Sequence, residues 1–286
     1  MKLSINDTFL NHIPNMDARF ARLKALGFDA VDFNLCFLDQ TCYESVEKME
    51  TYCKEVRAAA EKNGIEIYQT HGPWPTDDRT PESRAIGWQQ MHLGLYGTYL
   101  LGCKYMVIHP QMPYGEKPEN EDPEFAETLT IQLMEDLLPD CEKYGVTLCL
   151  ENMPFVSQRI SATPRIVDVV KKMNSPYVQI CYDVGHSNTK MKEDIPACVA
   201  LAAPYLKTLH VHDNWYNDEH YLPFMGMIDW SAFAKALAES GYEGTLNLEV
   251  TGYVSQKMSP QLQEAYIKLT VETAKALNQM VEDYKK

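Results

Sequence analysis

The sequence predicts one (β/α)8 barrel, a TIM barrel, with its functional groups at the C-terminal ends of the strands. Short β-rich runs alternate with longer segments of helical period, eight times over, through all 286 residues. Turns from helix to strand are short and punctuated by glycine, whereas connections from strand to helix are long and rich in Pro, Gly and aromatic residues. Six successive strands end in His, Asp or Glu, and in a closed parallel barrel such ends surround one mouth. Single domains extend to roughly 250 residues, with barrels at the upper end, so residues 1–286 read as a single barrel domain.

In order, Leu3–Phe9 is the first strand, and helix 15–26 behind it stops at Gly27, where a left-handed cap residue is wanted. Ala30–Leu35 leads into helix 43–63 and Gly64. Ile65–His71 is followed by the loop GPWPTDDRTPES, helix 82–101 and Gly102. Tyr105–His109 leads through PQMPYGEKPENEDP to helix 124–143 and Gly145. Thr147–Glu151 and Val178–Asp183 precede helices 164–173 and 194–202. Thr208–His212 opens the loop NWYNDEHYLPFMGMID before helix 230–240 and Gly241, and Thr245–Val250 precedes the closing helix 260–284. Function usually sits on the long-loop side of such a barrel.

Hydrophobic residues make up 45% and charged residues 23%, a balance that excludes a disordered chain. Asp and Glu number 40 against 26 Lys and Arg. The resulting charge of −14 opposes a phosphate backbone, and no basic run offsets it, which argues against a nucleic-acid partner. The N-terminus lacks an apolar signal core and no run of about 18 apolar residues occurs, so a cytoplasmic chain with no membrane partner is expected. The eight cysteines form no CxxC pair and read as buried thiols.

The strand-end residues are His71, His109, Glu151, Asp183, His210 and Glu249. A side-chain period of two puts Glu151 on the face of Cys149 and Thr147, Asp183 with Cys181 and Gln179, and Glu249 with Asn247 and Thr245. The aliphatics between them (Leu148, Leu150, Ile180, Leu246, Leu248) then face the helix ring. An inward carboxylate without a partner is costly to bury, and a cation offsets that cost. His186 in CYDVGHSN and the D-x-H of Asp218 and His220 enlarge the cluster. Imidazole beside carboxylate suits zinc, manganese, iron or cobalt better than magnesium or calcium.

The bland alternative makes His71 or His109 a hydrogen-bonded loop residue, Glu151 or Glu249 an ion-pair partner, and Asp218 with His220 a solvated acidic loop. Ligand types on six consecutive strands favour a shared metal site. His210 and His212 have the same parity, and His210 is taken as the ligand of the two. Asp213 reads as a loop cap, while His12 and His92 read as non-functional.

The motifs IHP at His109, LENMP at Glu151, YDVGHSN at Asp183 and His186, LHVHDN at His210, DEHYLPFMGMIDW around Asp218 and His220, and LEV at Glu249 span nearly the whole chain. Together they resemble the xylose isomerase-like barrels, meaning the sugar phosphate isomerase/epimerase superfamily and its relatives the endonuclease IV-type apurinic endonucleases. Resemblance to the sugar epimerases implies one divalent ion held by Glu151, Asp183, His210 and Glu249. The two glutamates would double as the acid/base pair, and His186 would bind a substrate oxygen. The endonuclease branch implies a trinuclear zinc cluster, adding His71 and His109 beside Glu151 at one ion and His186, Asp218 and His220 at another. One to three ions, zinc or manganese foremost, are therefore expected. The resemblance departs at one place: ketose 3-epimerases carry an arginine shortly after the His210 position, and NWYN offers Tyr216 but no Arg.

The leading expectation is a metal-dependent isomerase or epimerase acting on a carbohydrate, free or phosphorylated, since enediolate chemistry needs two bases and a Lewis acid. Trp74, Tyr114, Phe155 and Trp215 lie in the C-terminal loops and are candidates to wall the substrate pocket, with core packing or surface cover the alternative for each. Competing expectations are phosphodiester hydrolysis at abasic DNA, against which the acidic balance stands, and a polyol dehydratase using the same metal and base. The exposed helix ring leaves room for a homodimer.

Overall fold

The computed structural model describes residues 1–37, 41–74, 80–112, 122–250 and 258–286. Eight parallel strands form a near-closed TIM barrel: β1 Leu3–Asn6, β2 Ala30–Asn34, β3 Glu66–His71, β4 Tyr105–Ile108, β5 Thr147–Glu151, β6 Val178–Asp183, β7 Leu206–His210 and β8 Leu246–Leu248. Hydrogen bonding runs in the order β7-β6-β5-β4-β3-β2-β1-β8. A parallel bridge from Val211 to Leu248 brings the two ends together, with Val211 N–H donating to Asn247 O at 3.0 Å and Glu249 N–H to Val211 O at 3.1 Å.

Around the barrel lie α1 Met16–Leu26, α2 Val46–Asn63, α3 Pro81–Leu100, α4 Pro123–Tyr144, α5 Thr163–Met173, α6 Val184–Asn188, α7 Ile195–Ala202, α8 Trp230–Glu239 and α9 Pro260–Tyr284. Side-chain caps fix their starts: Asn15, Ser45, Asp194, Asp229 and Ser259 each accept from a backbone N–H of the first turn. Gly27 (φ 97°) and Gly145 (φ 68°) close α1 and α4 in the left-handed region that the sequence required of them.

Several boundaries differ from expectation for local reasons. The first strand stops at Asn6 because Asp7 leaves the sheet. Its carboxylate accepts from Asn34 N–H at 2.9 Å and from Arg19 at 2.8 Å, which turns Asp7–Leu10 into a 3-10 turn. Helix α2 begins at Val46, not 43, because Ser45 caps it and a 3-10 turn occupies Thr41–Glu44. The short α6 was not expected; Asp183 starts it by accepting from His186 N–H at 2.7 Å.

Strand parity is as the sequence requires. Leu148, Leu150, Ile180, Leu246 and Leu248 belong to the large apolar core between sheet and helices. Val107, Cys149 and Cys181 form a separate cluster inside the barrel, beneath the strand ends. Full burial of each aliphatic side chain stabilises by about 1.5–3 kcal/mol, and truncating Leu150, which is wholly buried, would cost about 2–5 kcal/mol. All eight cysteines are free and buried. Among the described residues no helix is long and apolar enough to cross a membrane.

Candidate functional site

β3, β5, β6 and β7 end on His71, Glu151, Asp183 and His210, while His109 and Glu249 follow the last residues of β4 and β8. Their side chains converge. Glu151, Asp183, His210 and Glu249 can each offer one ligand atom so that all four atoms lie within 4.8 Å of one another. His71 and His109 form a similar group with Glu151, and His186, Asp218 and His220 form another with His212.

Four of these imidazoles are oriented by a hydrogen bond on one ring nitrogen. His71 Nδ1–H donates to Gly72 O at 3.0 Å, His186 Nδ1–H to Asn152 O at 2.7 Å and His220 Nδ1–H to Glu249 O at 2.9 Å. His210 Nε2–H donates to Asp32 Oδ2 at 2.9 Å. In each ring the second nitrogen is thereby turned toward the carboxylates: His210 Nδ1 lies 2.8 Å from Glu151 Oε1, and His220 Nε2 3.1 Å from Asp218 Oδ1. Anchoring one nitrogen to fix the tautomer and aim the other is how proteins prepare histidine for metal.

The carboxylates carry the complementary sign. Glu151 Oε2, Asp183 Oδ2 and Glu249 Oε2 are buried and accept no hydrogen bond. His109 Nε2 lies 3.2 Å from Glu151 Oε2, but without hydrogen-bonding alignment. Acceptor oxygens buried without donors are costly, and a divalent cation bound among them and the facing imidazole nitrogens satisfies both sets. The donor set, carboxylate oxygen with imidazole nitrogen, fits zinc or manganese.

In the protein alone, protons are unevenly shared. Burial by itself would raise the Glu151 carboxyl, but His210 and His109 hold it well below the usual carboxylate range. Burial wins at Glu249 and pushes it up to about 8 against the pull of His210 and His220. Burial also takes His71 down to about 4, aided by neighbouring His109. His220, although buried, is lifted to about 9 by Glu249 and Asp218.

Supporting residues hold this geometry. Asn152 Nδ2 donates to Asp183 O and its Oδ1 accepts from Asp183 N–H, both at 2.8 Å, which locks the end of β5 to that of β6. Gly185 lets the His212 ring lie against α6, since a Cβ there would meet His212 Cε1 at 2.1 Å. Asp213 caps its loop as expected, accepting from Asn214 N–H at 2.9 Å, Ile228 N–H at 3.2 Å and the Trp230 indole at 2.8 Å. That loop holds Tyr216, His220 and Phe224 at positive φ (69°, 52° and 73°), a strained backbone maintained by these anchors.

A cavity of about 470 Å³ opens over the cluster, with Trp74, Phe155 and Tyr216 among its walls. Trp74 packs edge-on against His109. Trp215, expected to wall the pocket, is not among the lining residues: its neighbour Tyr216 is, while the exposed Trp215 indole donates to Met225 O at 3.0 Å. Tyr114 lies outside the described residues. Two residues that sequence reasoning passed over belong to the site. His212, like His210, faces the mouth, with Nε2 3.2 Å from Asp183 Oδ1; their common parity was the signal. Asp32 sits beneath His210, and its signal was a carboxylate inside the apolar run AVDFN.

Fold and mouth together define a parallel TIM barrel with a His/Asp/Glu cluster suited to divalent metal. The chain matches the xylose isomerase-like TIM barrel family over residues 20–276 and belongs to that family. The D-psicose 3-epimerase of Ruminiclostridium cellulolyticum is 26% identical over 241 residues, covering 80% of this chain and 75% of the relative. The crystal structure of D-psicose 3-epimerase with D-tagatose from Clostridium cellulolyticum H10 superposes with a TM-score of 0.77 at 19% identity, covering 97% of this chain and 99% of that one. The structure of IOLI protein with a binding zinc atom gives 0.73 at 18% identity, with 99% of both chains covered.

Proposed function

We propose that the protein is a divalent-metal-dependent sugar isomerase or epimerase in which Glu151 and Glu249 are the acid/base pair. The observation that carries this reading is the convergence, at one mouth, of buried donor-less carboxylate oxygens on Glu151, Asp183 and Glu249 with imidazoles whose rings are each oriented by a fixed hydrogen bond. Glu151, Asp183, His210 and Glu249 would hold the first ion. His71 and His109 with Glu151, and His186, Asp218 and His220, would hold up to two more. When bound, such an ion supplies a Lewis acid for a carbonyl or hydroxyl oxygen.

The remaining work falls to the chain. One glutamate removes the proton from the carbon beside the carbonyl and the other returns one from the opposite side, inverting the centre or moving the carbonyl. His186, held by Asn152 O, positions a substrate oxygen. Trp74 and Phe155 wall the cavity, with Tyr216 in place of Trp215, and screen the reacting carbon from water. The likeness to sugar epimerases supports the substrate class, and the zinc of the IOLI structure supports the ion.

The test is elemental analysis of the purified protein followed by metal-dependent exchange of a carbon-bound sugar hydrogen with solvent deuterium. A protein that binds no divalent ion, or that exchanges no sugar hydrogen when loaded, defeats the proposal. The two flanking groups favour one alternative, an endonuclease-like phosphodiester hydrolase, which nicking of an abasic duplex at low salt would reveal. A polyol dehydratase would instead release water without exchange at the carbon that is kept.

A further inference from the structure

Glu193 stands between α6 and α7 and takes no part in the chemistry proposed above. Its carboxylate accepts from two other segments of the chain: Thr163 N–H donates to Oε1 at 2.9 Å, while Thr163 Oγ1–H and Ser187 Oγ–H donate to Oε2 at 2.7 and 2.8 Å. Its own N–H donates to Ser187 O at 2.9 Å. Both Thr163 and Ser187 are buried.

Helix capping accounts for part of this arrangement. Helix α5 starts at Thr163, and Ala162 before it has no side-chain oxygen to accept from the first turn. Glu193 supplies that acceptor from elsewhere in the chain, with a charge that suits the positive end of the helix. Capping has no need of the bond to Ser187, which leads away from α5 toward the strand ends.

That bond has a direction. A serine hydroxyl has one proton to give, and a carboxylate oxygen only accepts. Ser187 therefore spends its proton on Glu193, and its Oγ is left to accept from Asn152 Nδ2 at 3.2 Å. The Asn152 carboxamide, which joins the ends of β5 and β6 through the N–H and carbonyl of Asp183, gains a further anchor that fixes which of its two ends faces which way. The carbonyl of the same Asn152 orients the His186 ring. A buried charge, a hydroxyl and an amide thus form one chain of bonds that ends on Asp183 and His186, and each link in such a chain polarises the next.

We propose that Glu193 is a positioning residue: it sets the direction of the Ser187 and Asn152 hydrogen bonds and through them holds Asp183 and His186 in the geometry that receives a divalent ion. The inference rests on the metal-dependent reading of the mouth and not on which reaction is carried out there.

The experiment compares wild type with Glu193→Gln, Ser187→Ala and the double variant. Glu193→Gln keeps the side chain's shape but brings an NH2 group to where two hydroxyls donate, so the Ser187 bond must reverse or break; Ser187→Ala removes the link outright. Manganese and zinc affinities are measured by competition with a chelator, and exchange of the His186 Nδ1 proton with water by NMR of the metal-free protein. Each single variant should bind the ion about 3- to 10-fold more weakly and exchange that proton at least about threefold faster. The double variant should lose no more than either single one, since both cut the same chain. A Glu193→Gln protein that matches wild type in affinity and exchange overturns the inference, as do losses that add in the double variant. A lower melting temperature with both readouts unchanged leaves Glu193 a helix cap only and overturns it too. Wild type that takes up no ion defeats the metal reading and this inference with it. Affinities in the expected order, with no hydrogen exchange in any sugar offered to the loaded wild type, keep the positioning role and defeat the isomerase reading alone.

Discussion

Replacing Asp32 with Asn should weaken divalent-metal binding about 10- to 100-fold, although Asp32 is not among the groups placed to hold the ion. Its Oδ2 accepts from His210 Nε2 at 2.9 Å, Gln69 Nε2 at 3.2 Å and Asn247 Nδ2 at 3.4 Å. An asparagine retains one acceptor oxygen, but it carries no charge and brings an NH2 group into a space where three donors already converge. The His210 bond then loses its charge assistance, which makes up roughly half of its strength. The ring is held less firmly, and Nδ1 becomes a weaker base toward the ion. The expected loss converts to about 1.4–2.7 kcal/mol of binding free energy. The assay is competition with a chelator for manganese and zinc, with the visible spectrum of the cobalt-loaded protein reporting the ligand field. Thermal melting of metal-free wild type and variant controls for the fold. An Asp32→Asn protein that melts like the wild type and binds metal within about threefold of it would refute the reasoning.

Other outcomes follow from the same geometry. Glu151→Gln and Glu249→Gln should each lower activity about 100-fold or more, measured as hydrogen exchange at fixed metal loading; either variant keeping most of its activity removes that residue from the acid/base pair. Gly185→Ala would set a methyl 2.1 Å from His212 Cε1, so the ring must move at about 1–3 kcal/mol, read as a fall of several degrees in melting temperature; an unchanged melt contradicts the packing. Burial would lower the His92 pKa, yet hydrogen bonds and charges of Asp136 and Asp140 hold it above the ordinary value. The raised value makes its contribution full below about pH 6.5 and lost as pH rises through the folded value. His92→Gln should therefore cost about 1 kcal/mol or less near pH 6 and less still near pH 9, and a cost that does not shrink with pH would argue against the ion pairs.

Much of the site could be read from the sequence because barrel strands impose a strict period. Glu151, Asp183 and His210 each close a strand in which the residue two places earlier is a thiol or hydroxyl (Cys149, Cys181 and Thr208), and Cys149 and Cys181 do meet inside the barrel. Convergence of residues so far apart in the chain then follows from closure alone. What escaped depends on backbone torsion and on groups one layer deeper. Nothing in NWYN announces that Tyr216 takes a φ of 69°, so the inward aromatic was assigned to its neighbour Trp215. Asp32 passed unnoticed because it stands mid-strand, not at a strand end, and its value lies in whom it orients. His212 was set aside on the assumption that one histidine of a same-parity pair suffices; with Gly185 leaving room for its ring, the mouth holds both.

The sealed thiols carry a practical consequence. All eight sulfhydryls are buried and Cys36 lines a cavity at the barrel mouth, so an aromatic disulfide reagent should find little beyond Cys36 to modify in the native protein. The slow rise of its colour would instead time the rare excursions in which a barrel wall parts. Cys149 and Cys181, inside the barrel, would be modified last, so the order of labelling along the chain becomes a record of which staves loosen first.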